Sequence, residues 1–587
     1  MRSEAKEARQ LVPGEVGDLR ALEKRVQETA AAVTPAVVAV AIPGRPHKDT
    51  DLYQNSYASG VIVTAEGTVL SQWHVSHRKP TNDVNGLPSS YHAGQRTRVI
   101  LHDGRVCPAE LLGADLTRDL SLLRLLPPGP YPHAPIHTTT VASKGDWVVM
   151  MGHPLGYRQD RGAVLRLGRI LLTTDDAFIA DCTFCGGDSG APFFDLNGRL
   201  IGVYGPGYGD LALVPKDPML ARRCDQSFLF SVTRSYYIHK VLKAMQHAEC
   251  LGRNSDEGRR VNHELNVTAR LRSADYTQGR TTVARFRSVV AATRTSVVQV
   301  LNGGVPVALG TVVGEDGLIV TKGSELPPTP RCRLHDGRIV LARFIRVAHA
   351  FDLALLRVHC TDLTPVRWAK GDPRVGSLLA AASNQELPLA VGVVSVARRD
   401  MISAAPPDAS LPLRVTANRP GVFGTVQPAE RGLLALWARS EGYLVTDVFD
   451  RAWEAGIRPG DLLLKLGAQP IHADRDTLKA VEGRLSGDVI SAVLQRKGKV
   501  LTLPLPLGPE PEDPPGTDHS YRRDNFPAVF ECAVPFFTTE CGGPLVDLNG
   551  HAVGITVCRV APHGGMAIPG DCIQRLMSDI AEEELMA

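Results

Sequence analysis

The sequence predicts a mainly β protein of several domains, and three observations carry that expectation. Its 587 residues exceed what one hydrophobic core organises. Apolar residues gather in short Val/Ile/Leu-rich runs between turn residues, with 55 glycines and 42 prolines to supply the turns, and helix-period stripes are few. The chain also repeats itself: Leu101-His-Asp-Gly-Arg105 returns as Leu334-His-Asp-Gly-Arg338, and Asp195-Leu-Asn-Gly198 as Asp547-Leu-Asn-Gly550.

Composition excludes several function classes. A formal charge of +3 on so long a chain, with no basic run interleaved with aromatics, gives no reason to expect a nucleic-acid partner. No run of 18 apolar residues occurs, so no membrane span is expected. Met1–Gln10 is charged and lacks the apolar core of a secretion signal. The 11 cysteines form an odd set in which Cys182 and Cys185 make the only CxxC pair, so no metal site is expected.

In chain order, residues 1–32 read as a helical segment, with Leu19, Leu22 and Val26 recurring among charged residues. Strands follow at 35–42, Ser59-Gly60-Val61-Ile62-Val63 and Thr68-Val69-Leu70-Ser71, and the last of these leads into Trp73-His74-Val75. Asp119 opens the apolar strand Leu120-Ser121-Leu122-Leu123. Cys185-Gly186-Gly187-Asp188-Ser189-Gly190-Ala191-Pro192 then sets a serine on a tight turn, followed by a strand, an Asn-Gly turn at 197–198 and a second strand. These residue types in this order make a nucleophilic set. Ser189 is a weak nucleophile until His74 takes its proton, and His74 needs a carboxylate such as Asp119 to fix its tautomer. Glycines beside the serine let two successive N–H groups point at one spot, as an oxyanion hole requires. Acyl transfer by a serine, a histidine and a carboxylate needs no cofactor, and none is expected.

With Gly113-Ala114-Asp115 and Gly152-His153-Pro154-Leu155-Gly156 added, residues 33–245 resemble the HtrA (Deg) serine proteases. The resemblance implies a trypsin-like double β-barrel at 33–250, with His74 as general base, Asp119 as orienting acid, Ser189 as nucleophile and the N–H groups of Gly187 and Ser189 as the oxyanion hole. This chain departs from the family in having Asp188 before the serine. In digestive trypsin-like enzymes a freed N-terminus holds the matching Asp; none is evident here, so Asp188 is expected to pair elsewhere. Cys185 matches a trypsin-like disulfide position for which Cys224 is one candidate partner, two buried thiols being the other reading. The S1 pocket would rest on Thr183, which is not acidic, and on Gly205. A small or medium apolar P1 side chain is the expectation.

Residues 251–284 read as a polar linker, after which the first domain recurs. Matching the strands puts Ser324 where His74 stands and Cys541 where Ser189 stands, while Asp352 remains. The second copy (285–410 and 511–587) is thus expected to be a pseudoprotease with a degenerate site. The chain between Asp352 and Cys541 exceeds that between Asp119 and Ser189 by the length of a small domain. Within that surplus, Ala455-Gly456-Ile457 and Pro459-Gly460-Asp461 resemble a PDZ domain inserted at 411–510. The resemblance implies that Gly432, Leu433, Leu434 and Ala435 hold peptide C-termini. It further implies unfolded or partner polypeptides as substrates, self-association into a homo-oligomer, and an extracytoplasmic setting, periplasmic or secreted. The rival expectation is a peptide-binding, chaperone-like scaffold whose protease barrel is latent or inactive.

Overall fold

The computed structural model describes residues 16–42, 57–76, 94–136, 142–205, 231–247, 250–251, 276–401 (apart from 325, 328 and 361), 413–418, 442–448, 452–507 (apart from 453–454, 459, 473, 482–483 and 485–487), 520, 526–561 and 564–586. It is mainly β: four six-stranded antiparallel barrels, paired as two double-barrel domains, and one open sheet.

Barrel I comprises Val37–Ala41, Tyr57–Ile62, Thr68–Gln72, Arg96–Ile100, Val106–Asp115 and Leu120–Leu125. Barrel II comprises Trp147–Gly152, Val164–Thr173, Ala177–Ala180, Pro192–Phe194, Leu200–Tyr204 and Ser231–Arg234. Barrel III comprises Val297–Asn302, Val305–Val312, Leu318–Lys322, Arg331–Arg333, Ile339–Ala348 and Leu353–Val358. Barrel IV comprises Leu378–Ala381, Ala390–Arg399, Val529–Cys532, Pro544–Val546, Ala552–Ala561 and Gly564–Pro569. Strand order in barrel III repeats that of barrel I, and barrel IV repeats barrel II, so the repeated sequence signatures reflect a repeated fold. Each strand alternates side chains between faces, and the branched aliphatics fill the barrel interiors.

Two compact units result, residues 1–400 with 528–587, and 401–527. The second unit is inserted between Ala390–Arg399 and Val529–Cys532. The matching strands of barrel II, Val164–Thr173 and Ala177–Ala180, are joined by a tight turn closed by Thr174 N–H on Ala177 O. Residues 401–527 contain the sheet Leu413–Asn418, Gly442–Val448, Leu462–Leu466, Val489–Arg496 and Lys499–Pro506, with the helix Asp474–Val481. There Arg496 grips the buried Asp461 carboxylate with two hydrogen bonds of 2.6 Å. The Gly432–Ala435 loop lies outside the described residues.

In the first unit the four barrels share one apolar core, and the helix Val16–Val33 runs through it on Leu19, Leu22 and Val26. Its polar side chains reach both copies. Arg25 donates to Asn197 Oδ1 and Arg20 to Asn549 Oδ1 at 2.6 Å, the asparagines of the two repeated Asn-Gly turns. The Glu23 carboxylate accepts the Leu378 N–H at 2.9 Å, and burial pushes its pKa up. Within the stretch expected as linker, Tyr276 is buried and Arg280–Ala284 is helical. Thr277 donates twice to Asp181 of barrel II, and Gln278 exchanges hydrogen bonds with the Val391 backbone of barrel IV.

Candidate active site

The strand Thr68–Gln72 ends in a single helical turn, Trp73–Ser76, which carries His74. That turn is fastened to Asp119 at three points. Trp73 N–H donates to Asp119 O at 2.9 Å, His74 N–H donates to Asp119 Oδ1 at 2.9 Å, and His74 Nδ1 meets Asp119 Oδ2 at 2.6 Å. Asp119 holds a left-handed backbone, φ 54°. Asp tolerates that region better than most residues, at a cost of about 1–2 kcal/mol that the three contacts offset. With Nδ1–H directed at the carboxylate, Nε2 is the accepting nitrogen, and it lies 3.0 Å from Ser189 Oγ. The His74 side chain is 46% exposed and that of Asp119 17%, so solvent reaches the imidazole edge but hardly the carboxylate.

Two successive β-turns present Ser189. Asp188 N–H closes the first on Cys185 O at 3.1 Å, and Ala191 N–H closes the second on Asp188 O at 2.8 Å. Gly187 and Gly190 occupy the third positions with φ of 94° and 85°, where only glycine is comfortable. A Cβ at Gly187 would also sit 2.4 Å from His153 O. Leu155 N–H holds Gly186 O at 2.5 Å, and Ser59 Oγ holds Gly187 O at 2.8 Å. Both carbonyls are thus engaged, and the N–H groups of Gly187 and Ser189 have no acceptor among the described residues.

Asp188 is completely buried. Its Oδ2 accepts Cys185 N–H at 2.9 Å and meets Arg166 Nη1 at 2.9 Å, so a buried arginine occupies the place where a chain terminus would be needed otherwise. Burial pushes the carboxyl up and the guanidinium draws it back. His153 is buried beside this pair. Burial first, then Arg161 and Arg166, pull its pKa down to about 3, so it is neutral in the folded protein.

This carries a pH consequence. The unfolded chain takes up a proton at His153 near pH 6.5 and the folded chain does not, so stability falls as pH drops from 6.5 toward 3. Between pH 6.5 and 4.5 the loss is about 2–3 kcal/mol. We expect His153→Gln to flatten the pH dependence of the urea unfolding midpoint over that range; an unchanged slope refutes the assignment.

Thr183 is half-buried, and the next residue, Phe184, stacks on Tyr204 with ring centroids 4.2 Å apart. Gly205 is buried, and its carbonyl accepts Gln72 Nε2–H at 2.8 Å. Residues 206–230, with Cys224 among them, lie outside the described residues, and so does the Cys185–Cys224 pairing.

The second copy keeps the scaffold with altered side chains. Gly323 N–H donates to Asp352 O at 2.6 Å, Ser324 N–H to Asp352 Oδ1 at 2.6 Å, and Ser324 Oγ to Asp352 Oδ2 at 2.8 Å. Ser324 therefore makes the contacts His74 makes, and Asp352 holds the same backbone at φ 51°. Leu309 N–H reaches Cys541 O at 2.8 Å as Ser59 N–H reaches Ser189 O. The Cys541 thiol is fully buried, 3.9 Å from Phe537 O, and Glu540 N–H closes a turn on Phe537 O at 2.9 Å as Asp188 N–H does on Cys185 O. Here that turn is a 3-10 turn, Thr538–Glu540, and Cys541 N–H is tied to Thr538 O at 3.1 Å.

Three residues of the site escaped sequence reasoning: Ser59, Arg166 and Arg161. Arg166 left a signal, a lone charge inside the apolar run Val164-Leu-Arg-Leu167. Ser59 and Arg161 left none, because they act through backbone groups distant in sequence.

Residues 58–203 match the family model described as "Trypsin-like peptidase domain". Do-like 14 of Arabidopsis thaliana is 30% identical over 193 residues, covering 30% of this chain and 41% of that protein. The periplasmic pH-dependent serine endoprotease DegQ of Escherichia coli is 28% identical over 230 residues, covering 34% and 47%. Serine protease PepD of Mycobacterium tuberculosis is 29% identical over 190 residues, covering 30% and 38%. The chain thus spans less than half the length of each of these relatives. Residues 58–203, which lie in barrels I and II and include the hydrogen-bonded set at their junction, are thus similar to a trypsin-like peptidase domain, and the relatives they resemble are distant HtrA/Deg proteases.

Proposed function

We propose that this chain is a serine endopeptidase that cleaves unfolded or partner polypeptides. The observation that carries the reading is the unbroken sequence of contacts from Asp119 through His74 to Ser189, ending beside two backbone donors without an acceptor. Ser189 Oγ attacks the scissile carbonyl carbon while His74 Nε2 takes its proton, and the oxyanion is held by Gly187 and Ser189 N–H. The C–N bond then breaks as His74 returns the proton to the leaving amine. Water, deprotonated by His74, hydrolyses the acyl-enzyme and restores Ser189. A neutral Thr183 and the apolar Phe184–Tyr204 stack favour a small or medium apolar P1 residue.

On this reading residues 33–250 are the protease, and 285–410 with 511–587 a pseudoprotease whose Ser324 cannot act as a base. Residues 411–510 are a PDZ-like module that would take peptide C-termini at Gly432–Ala435. One observation favours the scaffold alternative: a complete barrel pair in this chain carries Ser324, in place of a histidine, against its Asp352.

The test is labelling by a fluorophosphonate probe of wild type, Ser189→Ala and Cys541→Ala, with and without unfolded casein. Labelling lost in Ser189→Ala and retained in Cys541→Ala is the expected result. Folded protein that never labels would overturn the endopeptidase reading in favour of the scaffold.

A further inference from the structure

The segment 152–161 leaves barrel II and packs under the Ser189 turn. At its tip Leu155 adopts a left-handed backbone, φ 60°, and gives its N–H to Gly186 O. One side chain braces that tip: the buried Arg161 donates through Nη2 to Pro154 O at 2.5 Å and to Gly156 O at 3.2 Å, the carbonyls flanking Leu155. The charge on Arg161 is met from the other copy. Its Nη1 lies 3.7 Å from Glu531 Oε2, on the barrel IV strand Val529–Cys532, and both side chains are buried. Glu531 Oε1 is also bound by Arg399 Nη2, at the end of Ala390–Arg399. Arg399 Nε in turn reaches Asp160 Oδ2 at 3.3 Å, and Arg158 grips Asp160 with two bonds of 2.9 Å. Three guanidinium groups and two carboxylates therefore interleave between the segment and barrel IV.

We propose that Glu531 is a positioning residue for the oxyanion donors, supplied to the first active site by the second barrel pair; this rests on the endopeptidase reading above. Charges with so little exposure are costly unless paired, and removing one partner leaves the others uncompensated. Without the Glu531 charge, Arg161 is a buried cation left with only the weaker pull of Asp160, which Arg158 and Arg399 already share, and it turns toward water. Pro154 and Gly156 then lose its hydrogen bonds, Leu155 N–H loses its fixed place against Gly186 O, and the Gly186–Gly187 peptide can rotate its N–H away from the site. The strand at the same place in barrel II, Ala177–Ala180, has no charged residue, so Glu531 is no part of what the two barrels share.

The experiment compares wild type, Glu531→Gln and Glu531→Asp as full chains, by casein hydrolysis and by amide hydrogen exchange. Glu531→Gln is expected to lower kcat at least tenfold with KM within about twofold, since an oxyanion donor is used in the transition state and losing one outright costs about 10²–10³. Amides in 152–161 and 185–190 should exchange at least tenfold faster, with the other barrels unchanged, and Glu531→Asp should recover part of both. Unchanged exchange at those segments overturns the proposal, and so does faster exchange spread over the whole unit. The same exchange measurement in a Ser189→Ala background needs no turnover. If wild type proves inactive, the endopeptidase reading fails, and exchange alone still decides whether Glu531 holds the turn.

Discussion

Asp119→Asn should lower kcat for casein hydrolysis by about 10⁴-fold while leaving the fold intact. Asn accepts a left-handed backbone at least as readily as Asp, so φ 54° at this position is no obstacle. Its side-chain oxygen can still accept the His74 N–H. The difference falls on His74 Nδ1, 2.6 Å from Asp119 Oδ2, where an amide NH2 would replace a carboxylate oxygen. Nδ1 must then accept, the proton moves to Nε2, and Nε2 can no longer take the Ser189 proton. The fluorophosphonate labelling rate should fall in parallel, because that reaction also needs deprotonated Ser189. A loss below tenfold in both would show that His74 and Asp119 do not act on Ser189.

The second large effect is on stability. Arg166→Met removes the cation from the completely buried Asp188 and should cost about 3–5 kcal/mol, read as a lower urea midpoint. The variant should also lose activity, because the Asp188 carboxylate anchors the turn through Cys185 N–H. The paired replacement Arg166→Met with Asp188→Asn discriminates between charge and shape. With no buried charge left, most of the stability should return. Failure of the double variant to recover would mean that packing around Arg166, and not its charge, accounts for the loss.

The strands, the repeat and the positions of His74, Asp119 and Ser189 were legible because each is written in local pattern. Alternation of apolar residues marks the strands, glycines mark the serine turn, and the recurring Asp195-Leu-Asn-Gly198 marks the equivalent turn of the second copy. Ser324 could be placed at the His74 position by counting along the strands, and its contacts with Asp352 reproduce those of His74 with Asp119. The partner of Asp188 could be expected to exist, and Arg166 stands out as a lone charge in an apolar run, but nothing local joins the two, because Arg166 reaches Asp188 across the barrel interior. The Arg161–Glu531 contact was beyond reach altogether. It joins residues far apart in sequence, and its meaning depends on which carbonyls Arg161 braces. The helix Val16–Val33 was visible as an amphipathic segment, but its role in joining two Asn-Gly turns was not.

Val164–Thr173 in barrel II and Ala390–Arg399 in barrel IV are matching strands, and they lie against each other. Like surface meeting like surface is how two-fold dimers associate, here realised inside a single chain. A dimer of separate chains dissociates on dilution, and each half must remain self-sufficient to be kept. A tethered pair holds its effective concentration however dilute the protein becomes. Side chains such as Ser324 and Cys541 can then differ from their counterparts while the paired faces stay together.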